Sequence, residues 1–375
     1  MNPLSIFIYY ARNKRKALPV LGILTLAVFG ISLTLVLTAT IFDGMRGFVS
    51  PYYYFVVIQP NYNKKYYQLD SGLRADVRQS QHLDLYAPIQ TSFVYGTVLG
   101  VPANYPIFGV SDDLMPRLLR VTGTELLEGR LPDAHADQVA LHESLIKTRG
   151  LKLGDYIGRD LNREDSLNGK WQVVGVIGGK TVLNLVALDR ISGGHPTNEI
   201  VLIPKAGEMT GLVADLDALK TDRATIQTPD YWNQFIERTL NQYDMLVTAL
   251  NAVIIIVLSL GVGLLNMIYF RQRTGEFGIL SGIGFSRSFL VRRVTLEALL
   301  LTMVAWVLGM TLSLVVYQTL DTLVFSPRGT RLSILNLRLL LGTLPVPIIV
   351  WIFSTLTILW QLWRLDPVAV IDRRD

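Results

Sequence analysis

Four long uncharged apolar runs constrain this chain more than any other feature of its sequence. They cover residues 17–42, 245–270, 298–320 and 339–363, and none contains Asp, Glu, Lys, Arg or His. Each run exceeds the ~20 residues that a helix needs to cross the ~30 Å hydrocarbon core of a bilayer. The low charged fraction of 17% agrees with this, because soluble chains have roughly 25% charged residues. The sequence therefore predicts four transmembrane helices.

The basic residues indicate how these helices are oriented. They are frequent in the amphipathic N-terminus 1–16, in the loop 271–297 and in the tail 364–375. Positively charged residues near the ends of spans remain in the cytoplasm. We therefore expect a multi-pass protein of the plasma (inner) membrane with both termini cytoplasmic, and with segments 43–244 and 321–338 on the outside.

The overall basic character has the same origin. The sequence pI is near 9.3, but the basic residues flank the apolar runs and do not form one long stripe, so a nucleic-acid partner is not expected. The chain contains no cysteine, which excludes disulfides and thiolate metal sites. The lipid bilayer is the expected partner of the basic flanks.

The extracytoplasmic segment 43–244 has the mixed pattern of an α/β (α+β) domain inserted between the first and second helices. Tyr52–Gln59 and Lys170–Gly178 are rich in β-branched and aromatic residues, as strands are. Lys64–Gln79 and Pro229–Asp244 are predicted as helices. Thr228 is suited to cap the second of these, a stalk helix (229–244) that continues into the span 245–270 without a helix breaker.

No catalytic constellation is found in this domain. The histidines His82, His135, His142 and His195 are scattered, and His142-Glu143 lacks the second histidine of a zincin motif because position 146 is Ile. We therefore predict a non-catalytic chain with no metal and no cofactor of its own.

The aromatic cluster Tyr52-Tyr53-Tyr54-Phe55 permits two interpretations. It can form a strand packed near the membrane interface, where tyrosine is common. Alternatively, it can form an aromatic wall for an apolar or planar ligand such as haem.

The spans lack the ionisable residues that line most ion-coupled pathways, so the energy for any transport must come from another subunit. Ser259 and Gly263 form a small-xxx-small pair that fits either a dimer seam or packing within the chain. Pro345 and Pro347 are expected to kink the fourth span.

The loop 271–297 has charged ends and a short apolar middle with several glycines, which indicates a short helix outside the bilayer that docks on a partner. The run 271–301 resembles the loop and third span of the MacB/FtsX-like ABC transporter permeases (type VII ABC systems). The matching residues are Glu276, Gly278, Ile279, Leu280, Gly284, Ser286, Arg287, Glu297 and Ala298. Ser281 and Gly282 replace the usual Arg-Ala.

Weaker similarities extend the resemblance. Residues 12–18 and 365–371 are similar to the two ends of that family, and the pattern from Leu127–Pro132 to Gly154–Asp155 is similar to its MacB-type periplasmic core domain.

The resemblance implies a permease subunit that is bound to a separate ABC nucleotide-binding ATPase, which carries ATP and Mg²⁺, and that forms a homodimer or a pair with a related permease. In that family, closure of the ATPase pair moves the outer domains through the stalk helices. ATPase coupling is accordingly assigned to Glu276, Phe277, Gly278, Ile279, Leu280, Gly284 and Arg287. Glu297 at the membrane edge fits either a pair with Arg293 or a simple interfacial position.

Export or extraction of a hydrophobic or peptide- or lipid-like substrate is the activity that this resemblance implies, with an extracytoplasmic adaptor as a further partner in some systems. Two alternatives remain. One is an ABC-linked sensor or regulator of an extracytoplasmic enzyme, and the other is a membrane-anchored binding or scaffold protein without an ATPase partner.

Overall fold

The computed structural model describes residues 14–98, 101–219, 221–272, 275, 279–280, 282–328, 332 and 337–364. The chain divides into two compact units. The helical unit comprises Met1–Thr38, Tyr243–Leu320 and Ser333–Asp375, and the sheet unit comprises Ala39–Gln242 and Asp321–Leu332. The similarities proposed for residues 12–13 and 365–371 lie outside the described residues.

The helices differ widely in length, and the long ones contain the apolar runs. In chain order they are α1 Lys14–Val49, α2 Ser71–Arg78, α3 Met115–Thr122, α4 Glu143–Arg149, α5 Leu188–Ile191, α6 Met209–Ala218, α7 Pro229–Gln272, α8 Arg287–Leu320, α9 Leu337–Thr343 and α10 Pro345–Arg364.

The strands all lie in the sheet unit. They are β1 Val56–Pro60, β2 Leu83–Val98, β3 Val101–Val110, β4 Glu125–Gly129, β5 Gln138–His142, β6 Tyr156–Ile157, β7 Trp171–Gly178, β8 Leu185–Ala187, β9 Glu199–Pro204 and β10 Ala224–Gln227.

Four helical stretches among the described residues are long and apolar enough to cross a membrane. They are Ala17–Tyr53, Pro229–Leu265, Ser288–Phe325 and Leu340–Trp360. The predicted fold class, four apolar helices plus a mixed α/β domain, is confirmed. The fourth stretch is interrupted at Leu344, and α10 begins at Pro345, because a proline fits the first turn of a helix, where its missing N–H would have no intrahelical acceptor.

The helical unit has a common apolar core. Val20 and Leu24 of α1, Val262 of α7, Ala305 of α8 and Val350 of α10 form one buried cluster. Gly309 brings α8 close to α1, because a Cβ atom at this position would lie 2.7 Å from Cβ of Val28. Small residues at such crossings allow helices to pack closely where water supplies no driving force.

Polar contacts between helices reinforce this packing. The hydroxyl of Thr34 in α1 lies 3.0 Å from the amide oxygen of Asn251 in α7. The indole N–H of Trp351 in α10 donates to the carbonyl oxygen of Thr295 in α8 at 3.0 Å. Hydrogen bonds of this kind fix the rotation of helices that apolar contacts alone would leave free.

The described strands of the sheet unit form a ten-stranded sheet in the order β10-β1-β9-β2-β3-β8-β5-β7-β4, with β6 added beside β7. The long strand β2 joins two lobes of the sheet. In the first lobe, the first half of β2 pairs with β9, next to β1 and β10. In the second lobe, the second half of β2 pairs with β3, followed by β8, β5, β7 and β4. The pairs β3–β8 and β5–β7 are parallel, and the others are antiparallel. Mixed pairing with helices on the sheet is the predicted α/β arrangement.

Tyr52 belongs to the core of the sheet unit and not to a strand. Pro51 lies in the first turn of a 3-10 helix, Ser50–Tyr53, and β1 starts only at Val56. The predicted strand Tyr52–Gln59 is therefore too long at its start. The Tyr52 ring packs edge-on against Phe108 at 5.7 Å and tilted against Trp232 at 4.7 Å. With 2% of its surface exposed, Tyr52 serves core packing, and the interpretation as a ligand wall is wrong for this residue.

Helix α7 begins where the sequence predicts. Pro229 is its first residue, and the amide of Tyr231 donates to the hydroxyl of Thr228 at 3.2 Å. The helix continues without interruption to Gln272. The prediction for Lys64–Gln79 is wrong over its first half, because Asp70 caps a helix that begins only at Ser71.

A buried carboxylate organises the second lobe of the sheet unit. The side chain of Asp165 is 0% exposed. Nη1 of Arg149 donates to its Oδ2 at 2.9 Å and to its Oδ1 at 3.1 Å. It also accepts the amides of Tyr95 at 2.8 Å and Gly158 at 3.2 Å. These contacts join α4, β2 and the loop after β6, so one carboxylate satisfies donors from three elements.

Candidate functional site

The segment between α7 and α8 contains a short helix that ends at a glycine. We call it the loop helix, and its described residues are Gly275, Ile279, Leu280 and Gly282. The amide of Phe285 donates to the carbonyl oxygen of Leu280 at 3.1 Å, and Gly284 has a φ of 103°. A bond of this span around a positive-φ glycine is the Schellman type of helix stop. Gly284 is therefore the residue that ends the loop helix.

Ser286 starts the next helix immediately afterwards. Its hydroxyl accepts the amide of Phe289 at 3.3 Å, and its carbonyl oxygen accepts the amide of Leu290 at 3.2 Å. This is the arrangement of a helix N-cap, and α8 begins at Arg287. Backbone hydrogen bonds on both sides of Phe285 thus define the junction between the two helices.

Leu280 connects the loop helix to the helical unit. It packs, partly buried, against a cluster formed by Leu290 and Val294 of α8 and Ile358 of α10. Because apolar contacts of this kind contribute about 1.5–3 kcal/mol per buried large side chain, Leu280 holds the loop helix against two of the apolar helices.

Two isoleucines of the same segment remain exposed. The exposed fractions are 55% for Ile279 and 71% for Ile283. Positions four apart lie on the same side of a helix, so the two side chains form one apolar surface, which we call the loop surface. An apolar surface beside a charged segment is typical of an interaction site.

Three of the predicted coupling residues, Glu276, Phe277 and Gly278, lie outside the described residues. Ile279 and Leu280 lie in the loop helix but differ in environment, since the first is exposed and the second is packed. Arg287 is the first residue of α8. The assignment of these residues to coupling remains a prediction.

Arg293 and Glu297 face each other one turn apart on α8. Nε of Arg293 lies 3.3 Å from Oε1 of Glu297, and the two side chains are 13% and 3% exposed. A carboxylate buried to this degree is stable only when it is paired. The pair neutralises both charges just before the uncharged run 298–320 begins.

Comparison with known proteins gives a family match over the C-terminal third of the chain. The family described as FtsX-like permease C-terminal matches residues 248–367, which include α7 from its apolar part onward, the loop helix, α8 and the last apolar helices. Residues 248–367 are thus similar to the C-terminal part of FtsX-like permeases, and we call them the FtsX-like domain. The resemblance to the MacB/FtsX-like permeases is thereby confirmed.

A curated relative agrees with this match. The macrolide export ATP-binding/permease protein MacB from Bordetella avium (strain 197N) is 28% identical over 134 residues. The aligned segment covers 34% of this chain and 20% of that protein. The chain therefore spans about a fifth of the length of the relative that it matches.

Two solved structures are similar to parts of the chain. The periplasmic region of MacB from Actinobacillus actinomycetemcomitans is 17% identical, with a TM-score of 0.29, and the match covers 50% of this chain and 95% of that one. The extracellular domain of the noncanonic ABC-type transporter YknZ from Gram-positive bacteria is 7% identical, with a TM-score of 0.29, and the match covers 46% of this chain and 98% of that one.

Within the FtsX-like domain, the small pair Ser259 and Gly263 lies in packed surroundings. Ser259 is 3% exposed, and its hydroxyl donates to the carbonyl oxygen of Ile255. A Cβ atom at Gly263 would lie 2.8 Å from the ring of Phe353 in α10. Gly263 therefore packs against α10 within the chain, and a dimer seam at this pair remains a prediction.

Sequence reasoning missed two residues of the FtsX-like domain that form the site. Ile283 was not predicted, although its spacing of four from Ile279 was the available signal. The capping role of Ser286 was also missed, since the motif match gave this residue no function. The packing of Leu280 against the cluster that includes Ile358 could not be predicted, because this cluster joins positions far apart in the sequence.

Outside the FtsX-like domain, the four histidines do not converge. Nδ1 of His82 lies 2.6 Å from Oε2 of Glu208, His135 and His195 are exposed, and His142 is buried. Among the described residues, no group of three or more His, Asp or Glu side chains has an arrangement that could hold a metal ion.

His142 is a helix cap in the neutral state. Its Nδ1 accepts the amide of Ser144 at 3.2 Å at the start of α4, and Nε2 lies 3.2 Å from the carbonyl oxygen of Gly179. Nδ1 must therefore be unprotonated, and Nε2 carries the proton. Burial lowers the pKa of His142, while the Gly179 carbonyl raises it less.

The His142 cap makes the stability of α4 depend on pH. The folded-state pKa is lower than the unfolded value of about 6.5, so the stabilisation is complete above pH 6.5 and is lost as the pH falls through the folded-state pKa. We expect the protection of the Ser144 and Leu145 amides against hydrogen exchange to decrease from pH 7 to pH 5, after correction for intrinsic rates.

His142→Asn retains a capping side chain and should remove most of this pH dependence. His135→Asn is the control, because His135 is exposed and its replacement should leave the pH dependence unchanged. An identical pH dependence in both variants would contradict the role of His142.

Proposed function

We propose that this chain is the membrane-spanning permease subunit of an ABC-type complex, and that it couples ATP hydrolysis by a separate nucleotide-binding subunit to movement of the sheet unit outside the membrane. The match of residues 248–367 to the FtsX-like permease family carries this proposal. The chain itself supplies no catalytic residue and no cofactor in this proposal, and ATP and Mg²⁺ bind to the partner.

The loop surface is the proposed contact with the ATPase. Ile279 and Ile283 are exposed apolar side chains on one side of the loop helix, and burial of such side chains drives most protein association. Leu280 holds the loop helix against α8 and α10. A displacement of the loop helix by the ATPase would therefore be passed to these two helices through a packed contact.

Helix α7 is the proposed mechanical link to the outside. It is continuous from Pro229 to Gln272, and its first residues follow β10 directly. An unbroken helix transmits displacement along its axis, because each turn is hydrogen-bonded to the next. The uncharged spans agree with a mechanism in which the substrate does not cross the bilayer centre through this chain.

The basic residues near the span ends support a plasma-membrane location with both termini cytoplasmic. The remaining parts of the proposal come from the resemblance to the family. They are a homodimer or a pair with a related permease, and export or extraction of a hydrophobic, peptide-like or lipid-like substrate, with an adaptor in some systems.

Copurification tests the central proposal. The chain is coexpressed with candidate ABC ATPases that carry Walker A and LSGGQ motifs, and the permease is purified in nanodiscs through a tag. We expect the ATPase to copurify and to hydrolyse ATP at a different rate than it does alone. Ile283→Ser should reduce ATPase retention about tenfold, since burial of an isoleucine contributes about 1.5–3 kcal/mol.

Leu323→Ser is the matched control for this experiment. Leu323 is an aliphatic residue that is 73% exposed, close to the 71% of Ile283, but it lies beyond the opposite end of α8. Its replacement should leave retention unchanged. Failure of any ATPase to copurify would favour the scaffold alternative, whereas depletion of a substrate from cells would distinguish an exporter from a sensor.

A further inference from the structure

An exposed run of residues follows β1 at the edge of the first lobe. Every residue of Tyr62–Gln68 is exposed. Three of these residues are tyrosines, Tyr62, Tyr66 and Tyr67, with exposed fractions of 44%, 37% and 67%. We call them the tyrosine platform. The rings of Tyr62 and Tyr67 lie 6.4 Å apart at an angle of 51°.

Hydrogen bonds hold the backbone of this run in place. The amide and the side chain of Asn61 donate to the carbonyl oxygens of Arg223 at 2.9 Å and Asp222 at 3.0 Å. The amide of Tyr66 donates to the carbonyl oxygen of Asn61 at 3.2 Å. The three rings are thus presented by an ordered loop, which reduces the entropy lost when a ligand binds.

Lys65 adopts an unusual backbone conformation at the centre of the run. Its φ is 63°, and among the residues that the structure describes it is the one non-glycine residue with a positive φ. This conformation costs about 1–2 kcal/mol in an L-residue. Strain of this kind is often retained where the loop geometry serves a function.

The charges around the platform are largely paired with one another. Nζ of Lys64 lies 3.0 Å from Asp222, and Nη1 of Arg223 lies 3.8 Å from Asp70. The Arg223 guanidinium also lies 5.9 Å from the centre of the Tyr66 ring. Lys65 has no ion pair among the described residues, so the surface offers aromatic faces and polar groups with a single unbalanced positive charge.

We propose that the tyrosine platform binds a saccharide chain of N-acetylhexosamines. The faces of aromatic rings carry a partial negative charge, so they attract the polarised C–H groups on the flat side of a sugar ring. Asn63 and Gln68, exposed within the same run, have side-chain amides that can both donate to and accept from acetamide groups.

The composition of the run favours a saccharide over the other occupants of exposed aromatic surfaces. Tyr62–Gln68 contains no aliphatic residue, whereas surfaces that insert into lipid combine aromatic with aliphatic side chains. Protein interfaces bury a larger apolar centre than three half-exposed tyrosines supply. A neutral ligand with alternating C–H faces and polar groups matches the platform best.

The test uses the full chain in nanodiscs, titrated with chitotetraose, the β-1,4 tetramer of N-acetylglucosamine, by isothermal calorimetry. We expect saturable binding with a Kd of about 1 mM or lower. Tyr67→Ala should raise this Kd about tenfold through loss of one stacking face, whereas Tyr67→Phe, which keeps the ring, should change it less than about threefold.

Tyr156→Ala is the matched control, because Tyr156 is also exposed, at 45%, and has Lys170 over its ring at 4.6 Å. Its replacement should leave the Kd unchanged. No saturable binding up to about 10 mM, a scale that corresponds to a very weak complex, would overturn the proposal, as would equal effects of Tyr67→Ala and Tyr156→Ala. Equal affinity for cellotetraose, which lacks acetamide groups, would overturn the N-acetyl assignment.

Discussion

Replacement of Asp165 by alanine is expected to lower the stability of the second lobe of the sheet unit by about 3–5 kcal/mol. The substitution leaves the Arg149 guanidinium largely buried without its carboxylate. It also removes the acceptor of the Tyr95 and Gly158 amides. Unpaired buried donors and an uncompensated buried charge are among the largest single-residue penalties known.

Hydrogen exchange measures this loss in the full chain. The amides of β7 should exchange about 10²- to 4 × 10³-fold faster in Asp165→Ala than in the wild type, because each 1.4 kcal/mol corresponds to a factor of ten. Asp165→Asn should have a smaller effect, since the amide oxygen still accepts one backbone N–H.

Asp133→Ala provides the matched control for Asp165. Asp133 also pairs with an arginine, at 2.6 Å from Nη1 of Arg130, but its side chain is 63% exposed. Exposed ion pairs contribute little, so exchange in β7 should change less than about fivefold. A similarly small change in Asp165→Ala would show that the buried pair does not hold the lobe together.

The second large effect is expected at the junction between the loop helix and α8. Gly284→Trp should abolish stimulation of the partner ATPase while the chain still inserts into the membrane. The φ of 103° at Gly284 is one that L-residues rarely adopt, so a side chain there would alter the helix stop and displace the loop surface. Glu276→Arg, a charge reversal in the same predicted contact, should have the same result.

Two glycines of the junction separate a backbone requirement from a steric one. At both Gly284 and Gly282, an added Cβ atom would meet no heavy atom within 4 Å, but only Gly284 of the two has a positive φ. Gly284→Ala should therefore reduce ATPase stimulation, and Gly282→Ala should not. Unchanged stimulation in Gly284→Trp and Glu276→Arg would remove the coupling assignment.

The sequence predicted the parts of the fold that depend on long, uniform patterns. The apolar runs predicted the helices because few other structures accommodate more than 20 uncharged apolar residues. The start of α7 followed from Thr228 and Pro229, whose chemistry is local. The strand β7 was also predicted, since the segment is rich in β-branched and aromatic residues.

Features that depend on tertiary contacts could not be predicted from the sequence. Tyr52 was assigned to a strand because aromatic residues favour strands, but Pro51 starts a 3-10 turn there and the ring is buried against Trp232. The Arg149–Asp165 pair is separated by a loop of irregular structure. In the candidate site, the family motif indicated Gly284, whereas the packing of Leu280 against the cluster of α8 and α10 residues became visible only in the folded chain.

The pairing of β1 sets a condition on biosynthesis. This strand, Val56–Pro60, pairs with β9 and β10, whose residues are made much later, as the register of Val57 with Val201 and Gln227 illustrates. At a synthesis rate of about 5–20 residues per second, the apolar strand waits roughly 10–30 s for its partners. During that time α1 has already emerged from the ribosome, so the first helix is available for membrane insertion before the sheet can form. An apolar strand without its partners is prone to aggregate during this interval.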